Sequence, residues 1–151
     1  MPEKETVERA REDAREGKSP STQAGEFVRE EMHHVREGKH GAASPQQAIA
    51  IGLSKARRAG VKLQPPAKGT QSAETQDQAE RDYRKGQSHP RRKPSAKRSR
   101  ATSSALRKKG HSAASRASLA KQARSAARKR GSTARHNAAV KASRTRRRSK
   151  A

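Results

Sequence analysis

Charge is divided so unevenly along this chain that no single core can include all of it. Residues 91–151 hold 22 Lys and Arg side chains and no Asp or Glu, residues 1–66 hold 12 basic and 10 acidic side chains, and residues 67–90 hold four of each. A block carrying +22 repels itself unless a polyanion neutralises it. The front half is mixed in sign but has little to bury. One Phe, one Tyr and no Trp occur in all 151 residues, and the mean hydropathy is -1.32. Such a composition lies near that of disordered chains. The expected fold class is mostly α and disordered: a small helical hairpin plus an intrinsically disordered basic tail with nascent helices.

Cysteine is absent, which removes disulfides, thiolate metal sites and a cysteine nucleophile. The opening MPEKETVERAREDAREGK intersperses acids and has no apolar stretch, so it reads as neither a secretory signal nor an acid-poor transit peptide. No run approaches the length of a membrane span. No membrane partner is expected, and the expected location is cytoplasmic, at the nucleoid.

Four segments are expected. Residues 1–18 form a charged N-terminal helix in which Glu5 pairs with Arg9, and Arg9 with Asp13, at i,i+4 spacing. Its only apolar positions are Val7, Ala10 and Ala14, so it is expected to be solvated and frayed. Residues 19–66 form a helical hairpin. Ala24, Phe27, Val28, Met32 and Val35 share one side of a helix over residues 21–37, with Glu31 interrupting that face. The stretch SPQQAIAIGLSKARRAG, residues 44–60, is the best-punctuated helix of the chain. Ser44 stands at its N-cap, Pro45 at N1, Gln47 where it completes a capping box, and Gly60 at the stop.

Ala48, Ile49, Gly52, Leu53, Ala56 and Ala59 make the apolar face of this second helix, and the short connection GKHGAAS turns it back on the first. A core in a segment below roughly 70 residues gathers only a few kcal/mol. A homodimer or a protein partner docked on the hairpin is therefore expected to complete it. Residues 67–90 read as a polar linker in which AETQDQAERDYRKG makes a short helix ending in Gly86, and residues 91–151 as an Ala/Ser/Lys/Arg-rich nucleic-acid-binding tail with helix-forming stretches on either side of Gly131.

The tail points to nucleic acid because Lys and Arg gain from phosphate chiefly by releasing condensed counterions, which needs cations in number rather than a folded reader. The expected contacts are Arg91, Arg92, Lys93, Lys97, Arg98, Arg100, Arg107, Lys108, Lys109, Arg128, Lys129, Arg130, Arg144, Arg146, Arg147 and Arg148. Lys55, Arg57 and Arg58 on the second hairpin helix are expected as secondary phosphate contacts. The stretch HPRRKP is similar to a minor-groove arm but lacks the central Gly of an AT-hook, and reads equally as a stiff charged linker. Single-stranded RNA is usually read by stacking bases on aromatic rings, and only Phe27 and Tyr83 are available. Duplex DNA is thus the favoured partner, with RNA left open because Arg also stacks.

His33, His34 and His40, with Glu30, Glu31 and Glu37, are the one group with metal-binding potential. Glu30 with His33 and Glu31 with His34 are each E-x-x-H pairs, a spacing that in di-metal bundles puts both ligands on one helix face. Two overlapping copies on one short helix point in different directions and cannot both serve a site. No metal and no cofactor is therefore expected. Without a Ser/His/Asp order or a Gly-rich phosphate loop, no catalytic residue and no enzymatic activity are expected either.

Residues 24–63 resemble an uncharacterised domain family of short bacterial proteins and large DNA viruses. MHHVREG (32–38) is similar to that family's Met-His-x-apolar-basic-x-Gly motif, and QAIAIGLSKARRAG (47–60) to its second-helix signature, together covering about a quarter of the chain. The resemblance implies a helical hairpin and an intracellular origin, and no activity comes with it. The tail separately resembles, in composition, the tails of linker histones and bacterial histone-like proteins. The expected function is that of a non-enzymatic, largely sequence-nonspecific DNA-binding protein of histone-like, nucleoid-associated type. The alternatives are an RNA-binding or ribosome-associated protein, or an adaptor whose hairpin recruits a partner to nucleic acid.

Overall fold

Serine caps and glycine stops set the helix boundaries along the front half. The computed structural model describes residues 2–88 and 95–148 and arranges them as α1 (Lys4–Arg15), α2 (Pro20–Arg36), α3 (Pro45–Arg58), α4 (Ala73–Gln87), α5 (Ala96–Arg107) and α6 (Arg116–Arg148), with a 3-10 turn at Ser112–Ala114. Among the described residues there are no strands. Ser19 accepts from the Thr22 N–H at 3.4 Å, and Ser44 from the Gln47 N–H at 3.2 Å. Both helices then begin with Pro, whose fixed φ suits the first turn and whose missing N–H would have had no helical partner. Gln47 reaches back to the Ala43 N–H at 2.7 Å, one residue before the position a capping box uses. Gly38 and Gly60 end the two helices at φ of 74° and 100°, backbone that side-chain-bearing residues seldom adopt.

Successive helices pack on one another: α1 on α2, α2 on α3 and α3 on α4. The seam between α2 and α3 is tightest at Gly52, where a Cβ would stand 2.7 Å from the Val28 Cα. Phe27 and Val35 are fully buried, and Ala10, Ala24, Phe27, Ala56 and Val61 form a core flanked by Val7, Leu53, Ala59 and Leu63. Burying one Phe contributes about 1.5–3 kcal/mol. Most of the remaining core is alanine, so close approach of backbones substitutes for bulk.

The expected hairpin is thus the centre of a larger helical unit, and the segments on either side differ from expectation. α1 is docked rather than solvated. Thr6 and Ala10 are buried, the Glu3 N–H donates to Glu30 Oε2 at 3.0 Å, and Arg9 Nε donates to Glu26 Oε2 at 2.7 Å. The short helix expected within the linker forms as α4, but it is docked on α3, burying Ala79, Asp82 and Gly86. Ser54 on α3 donates to Asp82 Oδ2 at 2.6 Å, and a Cβ on Gly86 would collide with the Arg57 carbonyl oxygen.

The beginning of the basic tail also belongs to this unit. The Gly41 and Ala42 N–H groups donate to the Leu106 and Gly110 carbonyls, each at 3.0 Å, Arg36 Nε donates to the Ala114 carbonyl at 3.0 Å, and Ala113 and Ala114 are buried. The chain accordingly divides into residues 1–115 and 116–151, not at residue 91. The second unit is α6, helical where disorder was expected. Its Ala, Arg, Lys and Gln residues are the strongest helix formers, and that local preference opposes the repulsion among its charges. Gly131, at φ 75° and ψ 170°, leaves the helical conformation and splits α6 where the sequence places a break.

Candidate functional site

The expected nucleic-acid contacts of the tail that fall on described residues are exposed without exception. Lys97, Arg98, Arg100 and Arg107 lie on α5, Lys108 and Lys109 directly follow it, and Arg128, Lys129, Arg130, Arg144, Arg146, Arg147 and Arg148 lie on α6. Arg91, Arg92 and Lys93, with the arm-like HPRRKP, lie outside the described residues. Arg116, Lys121, Arg124, Arg135 and Lys141 on α6 are exposed as well and fall outside the expected set. Adjacent charges drew attention to the clusters, whereas Lys121, Arg124 and Arg128 are spaced i, i+3, i+7 and share a helix face only once the helix is formed. Six basic residues precede Gly131 in α6 and six follow it.

The hairpin cations are placed differently. Lys55 does not reach outward to phosphate: its Nζ lies 3.0 Å from Glu30 Oε1 and 2.7 Å from Glu31 Oε2. Burial pulls the Lys55 pKa down, but the two facing carboxylates outweigh it and hold the ammonium above its ordinary value of 10.5. Burial likewise pushes Glu30 up. Hydrogen bonds from Lys55 and from the Glu3 backbone outweigh that push and leave Glu30 below 4.5. Arg57 is buried and donates to the Leu63 and Gln64 carbonyls at 3.2 and 3.4 Å, securing the chain as it leaves α3. Only Arg58 stays exposed, with Nε 3.8 Å from Asp82 Oδ1.

Of the two overlapping E-x-x-H pairs, the structure brings one inward. His33 is exposed, and Glu37 is exposed beside Lys39 at 3.2 Å. Glu31 is fully buried, His34 and His40 are partly buried, and the His40 Nε2 lies 3.2 Å from Glu31 Oε1. Glu30 belongs with Lys55 and α1 rather than with His33.

Comparison with known proteins finds no matching family model, no matching curated protein and no matching solved structure. No helix among the described residues is long and apolar enough to cross a membrane.

Proposed function

We propose that this chain is a non-enzymatic protein that binds duplex DNA through its C-terminal basic segment, largely without regard to base sequence, in the manner of histone-like, nucleoid-associated proteins. One observation carries the reading: residues 91–151 hold 22 cations and no acid, and every cation among the described ones is exposed. Cations without local acids are neutralised by a polyanion at little structural cost, and each phosphate contacted releases condensed counterions. The two halves of α6, each with six cations, suit a phosphate backbone better than base edges, since their charge is spread along the helix. The reading requires neither a homodimer nor a docked protein, because α1 and α4 cover the hairpin from within the chain.

The test is a salt series with the full chain on duplex DNA and on structured RNA. If roughly half of the tail cations contact phosphate, log K falls against log salt with a slope on the order of -10. Replacing Arg128, Lys129 and Arg130 together by Gln should make that slope shallower by about 3. Salt-insensitive binding would overturn the electrostatic account, and tighter binding to structured RNA at equal salt would move the partner from DNA to RNA.

A further inference from the structure

Glu31 is fully buried on α2, and its Oε1 has no partner in hydrogen-bond geometry. A buried carboxylate oxygen without a donor bears its share of the desolvation cost uncompensated. The Lys55 ammonium answers Oε2, but it is shared with the buried Glu30. Two carboxylates therefore meet one cation, and a negative charge is left on the side of Glu31 Oε1.

The His40 imidazole faces that side and His34 stands within reach of both, and their other hydrogen bonds determine which nitrogen carries the proton. His40 Nδ1 lies 3.2 Å from the Gly41 carbonyl oxygen, which can only accept, so Nδ1 donates. In the neutral ring this leaves Nε2 as a bare lone pair, 3.2 Å from Glu31 Oε1. His34 Nε2 lies 2.8 Å from Glu3 Oε1, an oxygen that also accepts from Lys39 at 3.2 Å, so Nε2 donates and Nδ1 is a lone pair, 4.0 Å from Glu30 Oε1. A lone pair against a carboxylate oxygen is repulsive, and a cation between them removes the repulsion. Histidines bound to metals typically donate their second N–H to a carboxylate or a backbone carbonyl, which is the arrangement both rings have here.

We propose that Glu31, His34 and His40 form a site for one zinc-class divalent ion, held by Glu31 Oε1, His34 Nδ1 and His40 Nε2. One donor atom from each of the three residues already lies within 4.8 Å of the other two. Ligands bound at about 2.0–2.1 Å around a tetrahedral ion stand roughly 3.3 Å apart, so closure needs donor atoms to approach by up to about 1.5 Å. The rings have room for it, with 12% and 16% of the His34 and His40 side chains exposed. The loop carrying His40 is pinned through Gly41 and Ala42 to the Leu106 and Gly110 carbonyls, which limits what must be ordered on binding. Oxygen and imidazole donors without sulfur suit zinc and its first-row neighbours, and three protein ligands leave a fourth position for water. The site uses none of the basic surface of α5 and α6 and stands or falls independently of DNA binding.

Calorimetric titration of the full chain, stripped with chelator, with Zn²⁺ alone should give one equivalent per chain. His40→Ala and His34→Ala should each weaken binding by about ten-fold or more, while His33→Ala, His111→Ala and His136→Ala leave it unchanged. Circular dichroism of each variant reports whether the helices persist; should His34→Ala lose them, the more exposed His40→Ala decides alone. The absence of stoichiometric Zn²⁺ binding, or binding that survives His40→Ala and is lost in the His33, His111 or His136 variants, would overturn the proposal.

Discussion

Lys55 on α3 reaches Glu31 on α2 with Nζ 2.7 Å from Oε2, joining the two central helices by a charge pair set into their seam. Removing the cation alone leaves Glu30 and Glu31 buried side by side with the same charge. Stranding a buried charge costs about 3–5 kcal/mol, more than an exposed pair is worth. Lys55→Met, which keeps most of the apolar stem and removes the ammonium, should therefore lower the unfolding free energy in urea by several kcal/mol. Its salt slope on duplex DNA should stay as in the parent protein, because Lys55 faces carboxylates and not solvent phosphate. A loss below about 1 kcal/mol would be the behaviour of an exposed pair and would show that the seam is wet in solution.

Two helical glycines should respond in opposite directions to the same change. At Gly52 an added Cβ meets the backbone of Val28 and Phe27, at 2.7 Å from the nearest atom, and neither helix can yield without shifting. Gly52→Ala should destabilise by about 1–3 kcal/mol, the usual range for overpacking. At Gly25, inside α2, nothing lies within 4 Å of the added carbon. Gly25→Ala should stabilise by about 1 kcal/mol through helix propensity alone. Thermal melts of the two variants beside the parent protein check both signs, and equal shifts would contradict the close approach of α2 and α3.

The contrast between these glycines shows what was legible in the sequence. Ser44, Pro45 and Gly60 announce α3 because caps and stops act locally, and the stripe of Ala24, Phe27, Met32 and Val35 announces the buried face of α2 because apolar periodicity is local too. Glu31 could be seen to interrupt that stripe. Its partners could not, since Lys55 and His40 approach it only through the tertiary packing. The docking of α1 and α4 is hidden for a related reason: they bury Thr6, Ala10, Ala79, Asp82 and Gly86, small or polar residues that give little hydrophobic signal. In α6 the helix preference of the Ala and Arg residues prevails over the repulsion among the cations between them, a balance that composition alone does not reveal. The clusters of adjacent charge were visible throughout, whereas the face shared by Lys121, Arg124 and Arg128 required the helix.

Acid should reach the fold through Glu30. Its buried carboxylate accepts from the Glu3 N–H at 3.0 Å and from Lys55 Nζ at 3.0 Å, bonds that require the ionised form. Burial favours protonation, yet those donors prevail and the folded pKa lies below the ordinary 4.5. A carboxyl whose pKa falls on folding adds stability that is fully present above the unfolded value and is lost as pH falls through the folded one. The Lys55 ammonium, raised above 10.5, adds stability that is fully present below 10.5 and is lost as pH rises through its folded value. The pair should therefore contribute constant stability between these limits, with an acid loss beginning below about pH 4.5. Glu30→Gln should lower the plateau and flatten the acid limb, since the amide cannot titrate. Urea midpoints of parent and variant measured from pH 3 to pH 8 settle the matter, and acid limbs of equal steepness would show that Glu30 is not what couples α1, α2 and α3 to pH.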